Sequence, residues 1–192
     1  MLDLGFKQDL EEIIKQTTKE TRIMMFSATI PNKIERLANK YQKNPVRIEA
    51  TNLNKAHSDI FYETYFIKKH DIENAIFNFI RYHDDKTILI FCSTRNAVNH
   101  IYTRILNRGF SAVSLSGAFS QNERFKALQS IKNNRCKICV ATDVAARGID
   151  LINLDIVIHA DLPQNSEILI HRSGRTGRAG QKGRSILFCS PN

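Results

Sequence analysis

Thr87-Ile88-Leu89-Ile90-Phe91-Cys92 runs directly into Ser93-Thr94 and then into a helical stretch at 95–107. A short apolar run bounded by turn-forming residues reads as a strand buried on both faces. The same strand-then-helix unit recurs around it. Strands are expected at 61–67, 112–116, 137–141, 156–160 and 185–189, with further helices at 71–82, 121–133 and 166–172. Gly109 is placed as the C-terminal cap of the helix that ends near 107. This alternation predicts an α/β fold, a mainly parallel sheet with helices on both faces. Ligands of such sheets bind beyond the carboxyl ends of the strands. Those ends carry Ser93-Thr94-Arg95, Ser116-Gly117, Thr142-Asp143 and Ala160-Asp161. Hydroxyls, a glycine and helix starts gathered on one rim make an anion-binding surface.

Upstream the pattern differs. Phe6, Leu10, Ile13, Ile14 and Thr17 form a helical stripe, and 22–27 reads as a strand. Pro31 opens a second helix carrying Ile34, Leu37, Ala38 and Tyr41, and 46–49 reads as a short strand. Residues 51–59 are polar and aperiodic, as a linker is. The expected division is therefore 1–50, a linker at 51–59, and a domain over 60–192.

At 192 residues the chain is long enough for a sizeable core. With 42% hydrophobic and 24% charged residues it has an ordinary globular composition. A net charge of +9 favours polyanionic partners, nucleic acid first among them. No apolar run is long enough to span a bilayer, so no membrane association is expected. Four cysteines form no disulfide framework, which points to a reducing cytoplasm. Cys136 and Cys139 form a C-x-x-C, but residues three apart on a strand face opposite ways and are poorly placed to hold one metal. No metal site is expected.

Residues 171–178 read His-Arg-Ser-Gly-Arg-Thr-Gly-Arg. If the helix beginning at Ser166 continues through them, Arg172, Arg175 and Arg178 share roughly one side, with His171 beside Arg175. Gly174 and Gly177 would let a partner surface approach. Guanidinium forks suit bidentate contact with phosphate, and an arginine aimed at a transferring phosphoryl group is an arginine finger. The plain competitor is a solvated basic helix end, which does not call for interleaved glycines.

Several stretches resemble the DEAD-box RNA helicases. Ile90-Phe91-Cys92-Ser93-Thr94-Arg95 resembles their motif IV, and Gln121 with Arg124 resembles the QxxR element. The stretch Ala141-Thr142-Asp143-Val144-Ala145-Ala146-Arg147-Gly148-Ile149-Asp150 resembles motif V, and His171 to Arg178 resembles motif VI. Ser27-Ala28-Thr29 resembles motif III, while Met1-Leu2-Asp3-Leu4-Gly5-Phe6 resembles the segment just after the DEAD tetrapeptide. Ala118 departs from the acidic residue common after the Gly117 position.

The resemblance implies two RecA-like domains that close together on ATP and RNA. Residues 1–50 would be the tail of the first and 60–192 the second. Arg175 and Arg178 would be the catalytic fingers on the γ-phosphate. His171 would couple to Ser27 and Thr29, with Arg172 in the same ATP-coupling group, and Asp150 would bond the ribose. Ser93, Thr94, Arg95, Gly117, Gln121, Arg124, Thr142 and Gly148 would hold the RNA backbone, a sequence-tolerant contact. The intact protein would be an ATP-dependent RNA helicase using ATP and Mg²⁺.

Each role has a local competitor. Asp150 could cap a turn, Thr142 could cap a helix, Ser27 and Thr29 could end a strand, and Arg124 could pair with Glu123. Phe61, Tyr62, Tyr65 and Phe66 could stack on RNA or pack in the core. The chain contains neither G-x-x-x-x-G-K-[ST] nor Asp-Glu-Ala-Asp. Alone it is expected to bind no ATP or Mg²⁺ and to hydrolyse nothing. Its partners would be RNA, the missing N-terminal RecA-like domain, or a second copy meeting the bare Met24-Met25-Phe26 strand. A non-catalytic RNA-binding module and a DNA-dependent motor of the same superfamily are the other readings.

Overall fold

The structure, a computed structural model, describes residues 6–18, 20–26, 32–48, 58–116, 120–146, 154–178 and 180–190. The chain divides into two units, Met1–Asn54 and Lys55–Asn192.

In the second unit β1 (Ile60–Phe66), β2 (Ile88–Cys92), β3 (Ala112–Leu115), β4 (Ile138–Thr142), β5 (Ile156–His159) and β6 (Gly183–Cys189) form one six-stranded sheet in the order β1-β6-β5-β2-β4-β3. Every pairing is parallel, and Ile88 stands opposite both Ile138 and Ile156. Counting α1 and α2 in the first unit, its helices are α3 (Ile72–Tyr82), α4 (Arg95–Asn107), α5 (Gln121–Lys132), the short α6 (Asp143–Ala146) and α7 (Ser166–Ser173). The expected α/β fold is the one observed.

All five residues of β2 are buried, because a central strand of a covered parallel sheet meets helices on both sides. Its side chains alternate between two cores. Ile88, Ile90 and Cys92 pack with Ile76, Phe77 and Ile80 of α3 and with Val98, Ile101 and Ile105 of α4. Leu89 and Phe91 pack on the other face with Ile131 of α5, Ala145 and Ala146 of α6, and Val157. Burial of this kind stabilises by about 1.5–3 kcal/mol for each large side chain. Burial also pushes the Cys92 and Cys139 thiols up to about 12.

Helix starts follow local chemistry. Thr94 Oγ1 accepts from the Ala97 amide at 3.1 Å and opens α4. Ser120 and Glu123 form a reciprocal capping box on α5. Asn165 Oδ1 accepts from the Ile168 amide at 2.8 Å, so the cap of α7 lies one residue before Ser166. Gly109 sits at φ +82 just past α4, with its amide on the Leu106 carbonyl at 2.9 Å. On edge strand β1, Tyr65 stacks 5.7 Å from Phe188 while staying partly open to solvent, and Phe61 and Phe66 are more exposed still.

The first unit holds α1 (Lys7–Lys15) and α2 (Asn32–Tyr41). Lys40 Nζ lies 3.1 Å from Glu11 Oε1 between them. The strands expected at 22–27 and 46–49 do not form over their described residues, 22–26 and 46–48. A β pattern becomes a strand only with a ladder partner. Instead the Ile23 carbonyl accepts from Gln42 Nε2 at 3.0 Å, and Met24, Phe26, Val46 and Ile48 stay exposed. Most of the expected linker, 51–57, lies outside the described residues.

One core residue is out of character. His159, at the end of β5, is fully buried, and its Nε2 lies 3.0 Å from Ser185 Oγ. Burial, followed by the nearby charge of Arg172, pushes its pKa down from 6.5 to about 4, while Asp143 opposes the shift weakly. The unfolded ring therefore takes up a proton between those values that the folded ring refuses. Stability should fall as pH drops through that window, by about 3 kcal/mol in total. Urea unfolding at pH 7 and pH 4.5 checks this: the wild type should lose more stability than His159→Gln.

Candidate functional site

The chain leaves β2 toward β4 and β3, but leaves β5 toward β6. Neighbouring strands whose connections depart in opposite directions open a crevice at their carboxyl ends, where sheets of this type bind ligands. Ser93 follows β2 there and Asp161 follows β5, and the Ser93 amide donates to Asp161 Oδ2 at 2.7 Å.

Arg172 of α7 joins this crevice to the next loop. Its Nε donates to Asp143 Oδ1 and its Nη2 to Asp143 Oδ2, both at 2.7 Å. Its Nη1 donates to the Asp161 carbonyl at 2.9 Å. The side chain is only 3% exposed, and its guanidinium lies 5.3 Å from the Phe91 ring centre. A buried charge is tolerated when its donors are met in this way. One fork thus ties α7 to the exits of β4 and β5.

The arginines of 171–178 do not share a helix face. The helix ends at Ser173, Gly174 forms its cap, and Gly177 takes φ +65. Arg172 consequently points inward, Arg175 is half-buried, and Arg178 is exposed on the turn, its Nε donating to the Gly174 carbonyl at 2.8 Å. Both glycines are required by the fold itself. A Cβ on Gly177 would lie 2.6 Å from Ile60 Cγ1, and one on Gly174 would lie 3.2 Å from the Ile170 carbonyl oxygen.

Between α6 and α7 lies a cleft of about 110 Å³ lined by Phe91, Asp143, Ala146, Ile168, His171, Arg172 and Arg175. Burial and the neighbouring charge of Arg178 hold the pKa of the Arg175 guanidinium below its ordinary value. His171 and Arg175 therefore meet at one cleft, with Arg178 near enough to act on Arg175.

The remaining described candidates, Ser93, Thr94, Arg95, Gln121, Arg124 and Thr142, lie at the carboxyl ends of the strands or in the helices that follow them. Thr142 Oγ1 accepts from the Ala145 amide at 3.3 Å, so it caps α6. Arg124 does not turn to Glu123; its Nη2 donates to the Ala145 carbonyl at 2.6 Å and braces α6 from α5. Ser93, Thr94, Arg95 and Gln121 are exposed. Ser27, Thr29, Gly117, Gly148 and Asp150 lie outside the described residues. Among the described residues no cluster of three His, Cys, Asp or Glu side chains is placed to hold a metal ion. Sequence reasoning placed Asp143 and Asp161 on the rim but missed their role. The available signal was the arginine itself, which is rarely buried without a partner.

Asp143→Asn should leave the Arg172 charge buried without its carboxylate. The expected cost is about 2–3 kcal/mol in urea unfolding, against less than about 0.5 kcal/mol for Val144→Ala at its exposed neighbour.

A family model described as the helicase conserved C-terminal domain matches residues 68–180. The DEAD-box ATP-dependent RNA helicase RhpA of Helicobacter pylori is 36% identical over 191 residues, covering 100% of this chain and 39% of the relative. The chain thus spans about two fifths of the length of the curated relatives it matches. A DEAD-box protein of Methanococcus jannaschii is similar at 35% identity with a TM-score of 0.64, over 99% of this chain and 51% of that one. Saccharomyces cerevisiae Dbp5 bound to RNA and ADP·BeF₃ is similar with a TM-score of 0.84 at 26% identity, over 98% and 50%. Among the described residues, no helix is long and apolar enough to cross a membrane.

Proposed function

The chain belongs to the helicase conserved C-terminal domain family, in its DEAD-box branch, and from that premise we propose that it is the ATP- and RNA-gripping half of an ATP-dependent RNA helicase. Residues 60–192 act as the second RecA-like domain, and 1–50 are the tail of the first. The observation that carries the reading is the cleft that brings His171, Arg172 and Arg175 together, where Asp143 is already engaged by Arg172.

In this reading Arg175 and Arg178 meet the γ-phosphate when the two domains close. His171 couples to Ser27 and Thr29, and Asp150 holds the ribose. The exposed Ser93-Thr94-Arg95 turn, Gln121, Arg124, Thr142, Gly117 and Gly148 line the RNA backbone. Dbp5 bound to RNA and an ATP analogue supports both partners by likeness. Mg²⁺ travels with the nucleotide phosphates, and we assign it no ligand in this chain. A reducing, cytoplasmic location suits four free thiols. Alone, the chain has no Walker A loop and turns over no ATP.

Phosphoryl transfer depends mainly on positioning and charge stabilisation, and an arginine finger contributes roughly 10³–10⁵ in rate. Arg178→Ala in the full-length protein should therefore abolish ATP turnover while leaving most RNA binding in place. Unchanged turnover rejects the assignment. Wild-type turnover that rises with DNA but not with a ribose strand favours the DNA-dependent motor, since the 2′-hydroxyl distinguishes the two. RNA binding with no stimulated turnover favours a binding module.

Exposed Met24 and Phe26 also suggest that residues 1–50 pair with further protein, either the first RecA-like domain or a second copy of this chain. Sedimentation of the 192-residue chain should show a concentration-dependent dimer. A single monomer species, with 1–50 resisting protease, counts against self-association.

A further inference from the structure

Helix α7 is held to the sheet in an uncommon way. Its two buried side chains, Arg172 and Ser173, are both polar. Ile168 and Leu169 are half-buried, and Ile170 is exposed. Apolar contact resists removal of a helix but resists its rotation only weakly, whereas hydrogen bonds are directional. The Arg172 fork is one such anchor. The other begins at Ser173, whose Oγ lies 2.8 Å from Ser185 Oγ on β6. Ser185 Oγ lies in turn 3.0 Å from His159 Nε2 on β5. All three side chains are fully buried.

Proton accounting gives this chain a direction. His159 Nδ1 is buried without a partner. A proton there would be an orphan donor that the rigid ring cannot redirect. With the proton on Nε2, His159 donates to Ser185 and Ser185 donates to Ser173. The last hydroxyl is the Ser173 O–H, which can swing toward a carbonyl one turn back in its own helix. That arrangement leaves a bare nitrogen lone pair buried instead of an N–H.

Ser173 is also where the arginine turn is fastened. The Arg175 amide donates to the Arg172 carbonyl at 3.1 Å, and the Thr176 amide to the Ser173 carbonyl at 3.0 Å. Thr176 Oγ1 in turn donates to the Leu154 and Asp155 carbonyls ahead of β5. Arg175 is therefore suspended between two tethered residues, Ser173 and Thr176. We propose that His159 is a positioning residue for the phosphate-facing arginines: through Ser185 it sets the rotation of the last turn of α7, and so the aim of Arg175 and Arg178. The inference rests on the helicase reading above, and it adds a residue with no route to nucleotide or RNA.

The test uses the full-length protein with His159→Phe, which keeps a ring against Phe91 but has no donor, and His159→Gln, whose Nε2 is the same number of bonds from Cα. His159→Phe should lower kcat for RNA-stimulated ATP turnover by about tenfold or more with KM for ATP little changed, and His159→Gln should recover most of that loss. Ser173→Ala should match His159→Phe, and the double variant should be no worse than either, because both break one chain. An unchanged kcat in His159→Phe, or His159→Gln no better than Phe, overturns the proposal. Should the variants fail to fold, nitrogen-15 NMR of histidine-labelled wild-type protein decides. A neutral ring with its proton on Nε2 from pH 7 to pH 5 supports the proposal, and a proton on Nδ1 or a charged ring overturns it. Arg178→Ala keeps the two readings apart: if it leaves turnover intact the helicase reading fails, and if it abolishes turnover while His159→Phe leaves kcat unchanged, this inference alone fails.

Discussion

The carboxyl rim of the sheet depends on one buried guanidinium. Arg172 places Nε and Nη2 on Asp143 and Nη1 on the Asp161 carbonyl, and Asp161 receives the Ser93 amide on its side chain. Loops after three adjacent strands, β5, β2 and β4, are thereby joined through a single side chain and its partners. A charge this deep would be costly in isolation, but satisfied on two sides it becomes a fixed, directional joint. The helix that bears it buries no large apolar side chain, so this joint and the Ser173–Ser185–His159 chain together take the place of a hydrophobic face.

That division of labour explains why three arginines at equal spacing have three different surroundings. The first is used internally, which fixes where the helix ends and how it is turned. The other two then leave on a turn that glycine makes feasible, since Gly177 at φ +65 sits against Ile60 and a Cβ on Gly183 would run into Thr176. Arg175 reaches the His171 cleft and Arg178 lies outside it, close enough for its charge to act on Arg175. Arg124 extends the same bracing from α5 to α6, so α5 is tied through α6 and Asp143 to the helix that carries Arg172.

Much of this was legible before any coordinates. The apolar run at 87–92 and its repeats announced strands because central parallel strands need no polar face, and the observed β2 is buried throughout. Gly109 marked the end of α4 because caps are local chemistry, set by residues three or four apart. Local pattern failed where a partner was required. Residues 22–26 carry a strand pattern but no ladder, and the helix at 166–173 stops after the first of the periodic arginines because glycine backbone and packing against Ile60 override the period.

The sequence by itself determined the α/β class, the position of nearly every strand and helix of the second unit, and the family, because these rest on periodicity, capping and short motifs read along the chain. Only the tertiary structure decided which arginine is scaffold, that Asp143 and Asp161 are its partners, and that a buried histidine reaches α7 through two serines. The physical reason is separation: Arg172 and Asp143 are 29 residues apart, and His159 and Ser185 are 26 apart. Such pairs are chosen by the strand order, which no local pattern encodes.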